Sequence, residues 1–445
     1  MNILEYTLGL PPYRRGGLPK YSLDLARQLS SNNNNNVYLM YPGAMSFWKK
    51  KLSFRLKKSN EKFQIIELLD PLPVSLGLGI SDESPYMEAR DVTKITQLLM
   101  DLKIDVVHFH TFMGVPLELL RAIKQLKIKM VYTTHDFYGL CPKMLEDDPL
   151  SSLSETKCSV DCMLCKAGPS NLKLWVMQSH LYAILKETKV IKHLRSHEKS
   201  TLSTNMINEN LSLARAKKRV ALRKYYLEMF SYIDEFHFNS QVASDYVKRF
   251  LPQAQGRVLN ITHSGVVDER DNKCLRRQSE QISFGYIGPY DTKKGFFMLK
   301  DAFEHLRLRY ANFEINFCGD VAQDSFFENE WVYNHGLLSR TELDKFYSQI
   351  DVLLMPSLWH ETFGFVALEG ISRGIPVLVS DHVGAKDMLS QEFIFVADEA
   401  SLEEKLAVLC ADPKLLDDLR QKLKQFEIPT SFSKHVAQLV DEFYH

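Results

Sequence analysis

Residues 351–380 read DVLLMPSLWHETFGFVALEGISRGIPVLVS and contain a complete strand–loop–helix–strand unit. The apolar run Val352–Met355 predicts a buried strand, and Thr362–Gly364 then opens a helical pattern. Gly374 leads into a second apolar run, Pro376–Val379. Two short apolar strands that are joined by a helix indicate a parallel sheet covered on both faces.

Similar runs follow one another along the chain in two series, separated by longer helical patterns. The first series is Ile3–Thr7, Val37–Tyr41, Phe63–Leu68, Val106–Phe109, Met130–Thr133 and Glu235–Phe238. The second series is Ser283–Ile287, Glu314–Cys318, Val352–Met355 and Pro376–Val379. Two series predict an α/β protein with two doubly wound, Rossmann-like domains.

The domain boundary is expected near residues 264–282, where SGVVDERDNKCLRRQSEQ is polar and charged. We therefore predict an N-terminal domain over residues 1–265 and a C-terminal domain over residues 280–427. Residues 428–445 contain apolar side chains at the spacing of an amphipathic helix that packs on a core.

The composition excludes several classes of protein. The chain has 445 residues, with 55 basic and 55 acidic side chains, so it lacks the positive charge of a dedicated nucleic-acid-binding protein. No apolar run approaches the ~18–20 residues that cross a bilayer. The N-terminus lacks the pattern of a signal peptide, and seven cysteines do not suggest a secreted disulfide framework. These features predict a cytoplasmic enzyme.

Two loops after predicted strands carry features of phosphate sites. In LPPYRRGGLPKYS, Gly16 and Gly17 precede the first helix, whose amides would attract an anion. In FGYIGPYDTKKGF, Gly288 is followed by Lys293 and Lys294, and an ammonium there could contact a diphosphate. A purely structural turn and solvated surface lysines are the competing interpretations.

The third loop, within residues 351–380, carries the strongest pattern. Backbone amides from Thr362 to Phe365 would face a phosphate or a sugar hydroxyl at the start of the helix. Glu361 lies in the loop, and the Glu369 carboxylate on the helix could accept two ribose hydroxyls, as acidic residues do in dinucleotide sites. The alternative is that Glu369 only complements the helix dipole.

Taken together, these motifs resemble the retaining family-4 glycosyltransferases with the GT-B fold. The matching elements are the Glu-x7-Glu pair Glu361 and Glu369, the IGPYDTKKG loop, the Gly16-Gly17 loop and HDFYGLCP at His135–Pro142. The resemblance implies two domains that face each other across a cleft. It also implies that the C-terminal helix crosses back to the first domain.

The resemblance implies a retaining hexosyltransferase that uses a nucleotide-diphosphate sugar, with UDP or GDP as the nucleotide. The acceptor would be a saccharide, lipid-linked or envelope glycan in polysaccharide biosynthesis. No metal would be needed for catalysis, because a lysine and helix amides would stabilise the leaving diphosphate.

Residue roles are also implied by the resemblance. His135, Glu361 and Lys294 would be catalytic, although a buried structural histidine is an alternative for His135, and Asp136 beside it is a weaker candidate. Glu369 would hold the ribose, and the base would be read near Gly336–Leu338. The implied donor-binding set is Gly16, Gly17, Gly288, Lys294, Gly336, Leu338, Thr362, Phe363, Gly364, Phe365 and Glu369.

One departure from the family pattern keeps a second hypothesis open. The diphosphate loop usually reads Gly-Arg, whereas this chain has Pro289 after Gly288. Lys293, or Arg14 with Arg15, would have to replace the missing charge. The alternative function is a non-catalytic homologue that scaffolds a partner glycosyltransferase. A nicotinamide-dependent oxidoreductase is disfavoured, since no Gly-x-Gly-x-x-Gly follows a strand.

Four cysteines form a candidate metal site in an insertion near residues 141–170. They are Cys141, Cys158, Cys162 and Cys165. Four thiolates could hold a structural zinc ion, but free thiols or a disulfide fit the spacing equally well.

Two basic stretches lie in the predicted acceptor domain. FWKKKLSFRLKK at Phe47–Lys58 interleaves aromatic and basic residues and suggests peripheral contact with an anionic membrane, on its cytoplasmic face. For the second stretch, Leu213–Tyr226, a solvated helix face is preferred.

Overall fold

The computed structural model describes residues 1–11, 14, 16–46, 51–74, 82–140, 175–176, 178–179, 182, 213–271, 281–321 and 324–445. These residues divide into two compact units. The first contains the described residues up to Ser264 together with Phe432–His445, and the second contains those of Gly265–Ser431. The C-terminal segment therefore belongs to the first unit.

The described part of the first unit contains an eight-stranded sheet. Its strands are β1 (Asn2–Tyr6), β2 (Asn36–Pro42), β3 (Ser53–Lys57), β4 (Gln64–Leu69), β5 (Val106–Phe109), β6 (Lys129–Thr133), β7 (Glu235–Phe238) and β8 (Gly256–Val258). Their order is β3-β4-β2-β1-β5-β6-β7-β8, with β3 antiparallel to β4 and the other pairs parallel. The chain order reverses between β1 and β5.

The described part of the second unit contains a six-stranded parallel sheet. Its strands are β9 (Ile282–Ile287), β10 (Phe313–Cys318), β11 (Val332–Asn334), β12 (Val352–Met355), β13 (Val377–Ser380) and β14 (Ile394–Phe395). Their order is β11-β10-β9-β12-β13-β14, so the chain order reverses between β9 and β12. Ligands bind at such switch points in doubly wound folds.

Helices connect the strands in both units. In chain order they are α1 (Gly17–Ser31), α2 (Thr93–Asp101), α3 (Leu117–Gln125), α4 (Leu213–Ser231), α5 (Gln241–Phe250), α6 (Phe296–Arg307), α7 (Arg340–Gln349), α8 (Phe365–Ser372), α9 (Glu399–Ala411), α10 (Leu415–Leu423) and α11 (Phe432–Phe443). Short 3₁₀ turns occur at Ser84–Met87, Ser325–Glu328, Gly384–Met388 and Gln391–Phe393. None of the helices in the described ranges is both long enough and apolar enough to cross a bilayer.

Local sequence explains where several helices begin. The Ser339 side chain and Glu342 form a capping box at the start of α7. The Ser240 hydroxyl accepts a hydrogen bond from the Ala243 amide at the start of α5. These caps satisfy amides that the helix itself leaves without partners.

The two predicted series of strands are confirmed, each as a parallel-dominated sheet. The sequence did not predict β3, because it lies at the sheet edge and its residues are mostly exposed. It also did not predict the short strands β8, β11 and β14, which have two or three residues each.

The C-terminal helix α11 packs on the first unit. The amphipathic pattern indicated a packed helix but not the unit that it joins. Its buried residues include Val436, Leu439 and Phe443. The Tyr21 hydroxyl on α1 lies 2.7 Å from the His435 Nε2 atom, which ties this helix to the first helix of the same unit.

Candidate functional site

The loops after β9 and β12 lie side by side at the switch point of the second sheet. β12 pairs directly with β9, and the register places Leu354 opposite Tyr286. The two loops are tied together where the amides of Leu358 and Trp359 donate hydrogen bonds of 3.0 and 2.9 Å to the Lys293 carbonyl. Fold topology therefore brings together two motifs that are separated by about sixty residues in sequence.

Gly295 makes this close approach sterically feasible. It has a φ angle of 73° and precedes α6, and a Cβ atom at this position would collide with the Pro356 carbonyl oxygen. Only glycine avoids both the left-handed strain and the collision. The glycine in the TKKG sequence thus sets the distance between the two loops.

Lys294 and Glu361 form an ion pair between these loops. The Ser357 hydroxyl also donates a 2.9 Å hydrogen bond to the Glu361 Oε1 atom. The Lys294 side chain is 35% exposed and that of Glu361 is 15% exposed, so an anion could still reach the ammonium. Two residues that we predicted to be catalytic are therefore in direct contact.

The start of α8 lies beside this ion pair. Gly364 has a φ angle of 99° and caps the helix without a side-chain hydrogen bond. The amides of Phe363 and Gly364 donate no hydrogen bond to any residue that the structure describes. The segment Thr362–Phe365 thus has the geometry of an anion-binding helix start, although Phe363 itself is buried.

Glu369 lies one turn into α8, and Tyr347 on α7 contacts its carboxylate. The Tyr347 hydroxyl donates a 3.0 Å hydrogen bond to the Glu369 Oε2 atom. Burial raises the pKa of Tyr347 well above its usual value, so this hydroxyl remains a donor. The Arg373 guanidinium lies 4.4 Å from the centre of the Tyr347 ring and donates to the Glu369 carbonyl and to Asp344.

The remaining predicted donor residues lie at the ends of neighbouring strands in the same sheet. Gly288 follows β9, and its amide donates to the Cys318 carbonyl at the end of β10. Gly336 and Leu338 follow β11, and the Gly336 carbonyl accepts from the Gly319 amide at 2.9 Å. Pro289 stands where the family pattern has an arginine. Its carbonyl accepts a 2.7 Å hydrogen bond from the Tyr286 hydroxyl, which holds this loop in place.

Lys293, one of the residues expected to replace the missing arginine, contacts an aromatic ring. Its ammonium is 5.3 Å from the centre of the Trp359 ring, a cation–π arrangement that positions the charge beside the loop after β12. Arg14 belongs to the first unit, and Arg15 lies outside the described residues.

Gly16 and Gly17 lie between β1 and α1 in the first unit. Gly16 has a φ angle of 125° and caps α1, with no atom within 4 Å of a Cβ placed on it. Gly17 is the first residue of the helix. The loop provides a helix start at the switch point of the first sheet, and anion binding there stays a prediction.

His135 and Asp136 follow β6 in the first unit, and both are partly exposed. Burial of the ring, with His110 the next cause, holds the pKa of His135 well below its usual value, so the imidazole is neutral. Burial raises the pKa of Asp136 to about 6, and its Oδ1 atom accepts a 3.0 Å hydrogen bond from the Tyr138 amide.

A cluster of buried polar side chains extends inward from His135. Glu5, His108 and His110 are all 0% exposed, and His110 Nδ1 lies 3.0 Å from His135 Nε2. Our sequence analysis missed this cluster. The signal was present as ionisable residues inside apolar strand runs, in ILEYT, VVHFH and EFHF.

Among the described residues, Glu5, His108 and His110 form a buried group of side chains of the types that bind metal ions. Side-chain atoms of Glu5, His108 and His110 lie within 4.8 Å of one another. The separation of 2.7 Å between Glu5 Oε2 and His110 Nε2 is that of a hydrogen bond, so we treat the group as a hydrogen-bonded cluster. The predicted zinc ligands Cys141, Cys158, Cys162 and Cys165 lie outside the described residues.

The described part of the basic stretch Phe47–Lys58, residues 51–58, contains the edge strand β3, and its charges are partly paired. The Glu67 carboxylate lies 3.7 Å from Arg55 and 3.6 Å from Lys57. Lys51 pairs with Asp91 at 2.9 Å. Residues 47–50 lie outside the described residues, so membrane contact stays a prediction.

Two protein-family models match parts of this chain. The model "Glycosyl transferases group 1" matches residues 267–426, and "Glycosyltransferase Family 4" matches residues 15–154. The first region contains both glutamates and Lys294, and the second contains Gly16, Gly17 and His135.

Two curated relatives match parts of the chain. An uncharacterized 41.2 kDa protein in the cps region of Klebsiella pneumoniae is 32% identical over 126 residues, which are 27% of this chain and 34% of the relative. An alpha-galactosylglucosyldiacylglycerol synthase from Streptococcus pneumoniae is 28% identical over 109 residues, 24% of this chain and 29% of the relative. The match thus spans about a third of each relative's length.

Two solved structures match nearly the whole chain. Sucrose-phosphate synthase from Thermosynechococcus elongatus has a TM-score of 0.55 at 14% identity, covering 99% of this chain and 97% of the other. Alr3699/HepE from Anabaena in complex with UDP has a TM-score of 0.53 at 12% identity, covering 99% of both chains. At these identities the likeness establishes the fold.

Proposed function

Because the chain belongs to the family-4 glycosyltransferases with the GT-B fold, we propose that it transfers a sugar from a nucleotide-diphosphate sugar to an acceptor hydroxyl. The donor binds to the second unit, and we assign acceptor binding to the first. The activity is a retaining hexosyl transfer that contributes to glycan or polysaccharide synthesis.

One observation carries this proposal. An ammonium, a carboxylate and a helix start meet at the switch point of the second sheet, where Lys294 contacts Glu361 beside the amides of Phe363 and Gly364. Glu369 lies one turn further along the same helix. This arrangement offers positive potential to a diphosphate, a hydrogen-bond acceptor to sugar hydroxyls and a second carboxylate to a ribose.

The chemistry follows from where charge develops. Cleavage of the anomeric carbon–oxygen bond leaves the electron pair on the diphosphate and positive character on the sugar. The Lys294 ammonium and the helix amides would stabilise the diphosphate, because positive and N–H groups lower the free energy of the negative charge that develops on it. The acceptor oxygen then bonds to the anomeric carbon on the same face, and its proton passes to the leaving phosphate oxygen.

The ion pair between Lys294 and Glu361 defines what donor binding must change. In the structure, Glu361 neutralises the ammonium, with Ser357 as an additional donor to the same oxygen. A diphosphate would compete with Glu361 for the ammonium, and the released carboxylate would accept hydroxyls of the donor sugar. No metal ion is required by this scheme, since Lys294 supplies the positive charge.

The nucleotide and the acceptor are finer points of the proposal. We propose a uridine nucleotide as the first to test, since the Anabaena neighbour was solved in complex with UDP. A lipid-linked or glycan acceptor is supported by the streptococcal relative, whose name is that of a synthase of a glycosylated diacylglycerol. Contact with an anionic membrane surface would place the enzyme near such an acceptor.

A donor screen tests the proposal. Thermal shift and donor hydrolysis are measured with UDP-, GDP- and ADP-sugars on the wild type and on the Glu369→Ala variant. We expect one nucleotide series to stabilise the wild type and the variant to bind it at least about tenfold more weakly, through loss of ribose hydrogen bonds. Glu404→Ala, which removes an exposed carboxylate on α9, serves as the matched control.

The screen also separates the enzyme from its alternative. If no nucleotide sugar binds and Glu369→Ala changes nothing, the chain is better described as a non-catalytic homologue that scaffolds a partner. If a nucleotide binds but no donor is turned over, the proposed nucleotide-binding site is supported and the proposed sugar transfer is rejected.

A further inference from the structure

The buried cluster of the first unit forms two branches of hydrogen bonds that meet at Glu5. The short branch runs from Glu5 Oε2 to His110 Nε2 at 2.7 Å, and from His110 Nδ1 to His135 Nε2 at 3.0 Å. Glu5 and His110 are fully buried, whereas His135 is partly exposed. The branch therefore connects the interior of the sheet with a residue at its carboxyl edge.

The long branch begins at the other oxygen of the same carboxylate. It runs from Glu5 Oε1 through Tyr444, His108, Thr133 and His237 to the carbonyl oxygen of Leu259. The successive distances are 2.8, 2.8, 2.7, 2.8 and 2.8 Å. Tyr444 follows α11, so the C-terminal segment closes the network.

Counting protons decides the tautomers. Each contact between a donor and an acceptor needs one proton, and burial lowers the pKa of His108 and His237, so these imidazoles are neutral. The long branch has five contacts, but its two neutral imidazoles, one threonine and one tyrosine supply four protons. The long branch is therefore one proton short, and one of its five contacts lacks a hydrogen.

With both imidazoles neutral, the short branch has two contacts and two protons. An ionised carboxylate only accepts hydrogen bonds, so the Nε2 atom of His110 donates to Glu5. The Nδ1 atom of His110 then carries no proton and accepts from the Nε2 atom of His135.

We propose that His110, held by Glu5, is a positioning residue that fixes His135 as the neutral tautomer with its proton on Nε2. The inward hydrogen bond also fixes the plane of the His135 ring, against which the Tyr21 ring packs at 4.8 Å between centroids. With its proton on Nε2, the His135 ring carries an acceptor rather than a donor at Nδ1. The catalytic role of His135 itself rests on the proposed function.

Nuclear magnetic resonance of the full chain tests the tautomer without using activity. Long-range proton–nitrogen correlation spectra are recorded on protein labelled with ¹⁵N-histidine at neutral pH, and His135 is assigned by the signals that disappear in His135→Asn. We expect His135 to show a neutral ring protonated at Nε2. A His135 ring protonated at Nδ1, or a cationic ring, would overturn the inference.

Two substitutions of His110 form a matched pair. His110→Phe keeps a ring but removes the acceptor, so His135 should lose its single tautomer. His110→Asn places an amide oxygen near the former Nδ1 position, so the tautomer should be retained. If His110→Phe leaves the His135 signals unchanged, His110 does not position His135.

Folding and the proposed function are read out separately. Circular dichroism shows whether each variant is folded, and the thermal shift with UDP reports on the proposed donor site, which lies in the second unit. Should UDP fail to bind the wild type while His135 still shows the expected tautomer, the donor proposal fails and the positioning role stands. Conversely, suppose that donor turnover depends on His135 while the spectra show a ring protonated at Nδ1. That pair of results would retain the proposed function and would contradict the positioning role of His110.

Discussion

Asp136 offers a quantitative test of the first unit, because its carboxylate is partly buried without a cationic partner among the residues that the structure describes. Burial raises its pKa from 3.8 to about 6, and the Tyr138 amide, which donates to Oδ1, only partly offsets this rise. Replacement by asparagine keeps an oxygen that can accept from the Tyr138 amide and removes the charge. We therefore expect Asp136→Asn to stabilise the protein at alkaline pH.

The sign and the magnitude follow from proton linkage. Well below pH 3.8 the carboxyl is protonated in both the folded and the unfolded states, so it does not change the unfolding free energy. Well above pH 6 it is ionised in both, and the shift of its pKa lowers the unfolding free energy by up to about 3 kcal/mol. At pH 5 the cost is roughly half of this value. Partial exposure makes these figures upper values.

Hydrogen exchange provides the assay, since it reports the opening free energy of individual segments. The variant and the wild type are compared at pH 8 and pH 5 in peptides that contain β6. The gain from Asp136→Asn should shrink as the pH falls. Asp301→Asn, on the exposed side of α6, is the control and should give no such change. A gain that is absent at pH 8, or independent of pH, would refute the reasoning.

Three further outcomes concern the second unit. Tyr347→Phe removes the hydrogen bond to Glu369 and should weaken nucleotide binding about three- to tenfold by titration calorimetry, with little effect on a 2′-deoxy nucleotide. Lys294→Gln should lower kcat on the order of a hundredfold in steady-state donor turnover, because the leaving diphosphate loses its ammonium; an unchanged kcat would exclude that role. Gly295→Ala should cost at least about 2 kcal/mol in thermal denaturation, since its Cβ collides with a carbonyl, whereas Gly336→Ala, with 3.6 Å to the nearest atom, should cost only about 1 kcal/mol.

The sequence was sufficient to predict the donor-binding motifs, because each of them lies within one continuous segment of the chain. A strand end, a glycine and a helix start occupy one continuous segment at 356–369, and the helix start alone determines which amides point outward. The same holds for the loop with Lys294, where Gly295 begins α6. Local backbone chemistry was sufficient to predict these residues as a site.

The sequence did not predict the residues that contact these motifs, because those residues belong to other helices and strands. Tyr347 lies on α7, twenty-two positions before Glu369, and nothing in its own segment distinguishes it from a core tyrosine. The edge strand β3 was also hidden, since its basic residues suggested a surface segment, whereas they pair with Glu67 on β4.

The sequence by itself determined the two Rossmann-like sheets, the family and the segments that carry the donor motifs. Burial periodicity and helix-start chemistry act over a few residues, so a linear pattern records them completely. Only the tertiary structure decided that Lys294 faces Glu361 and that Glu5 and its histidines share one network. Hydrogen bonds between side chains depend on which strands become neighbours, and strand order is a property of the folded sheet that no single segment encodes.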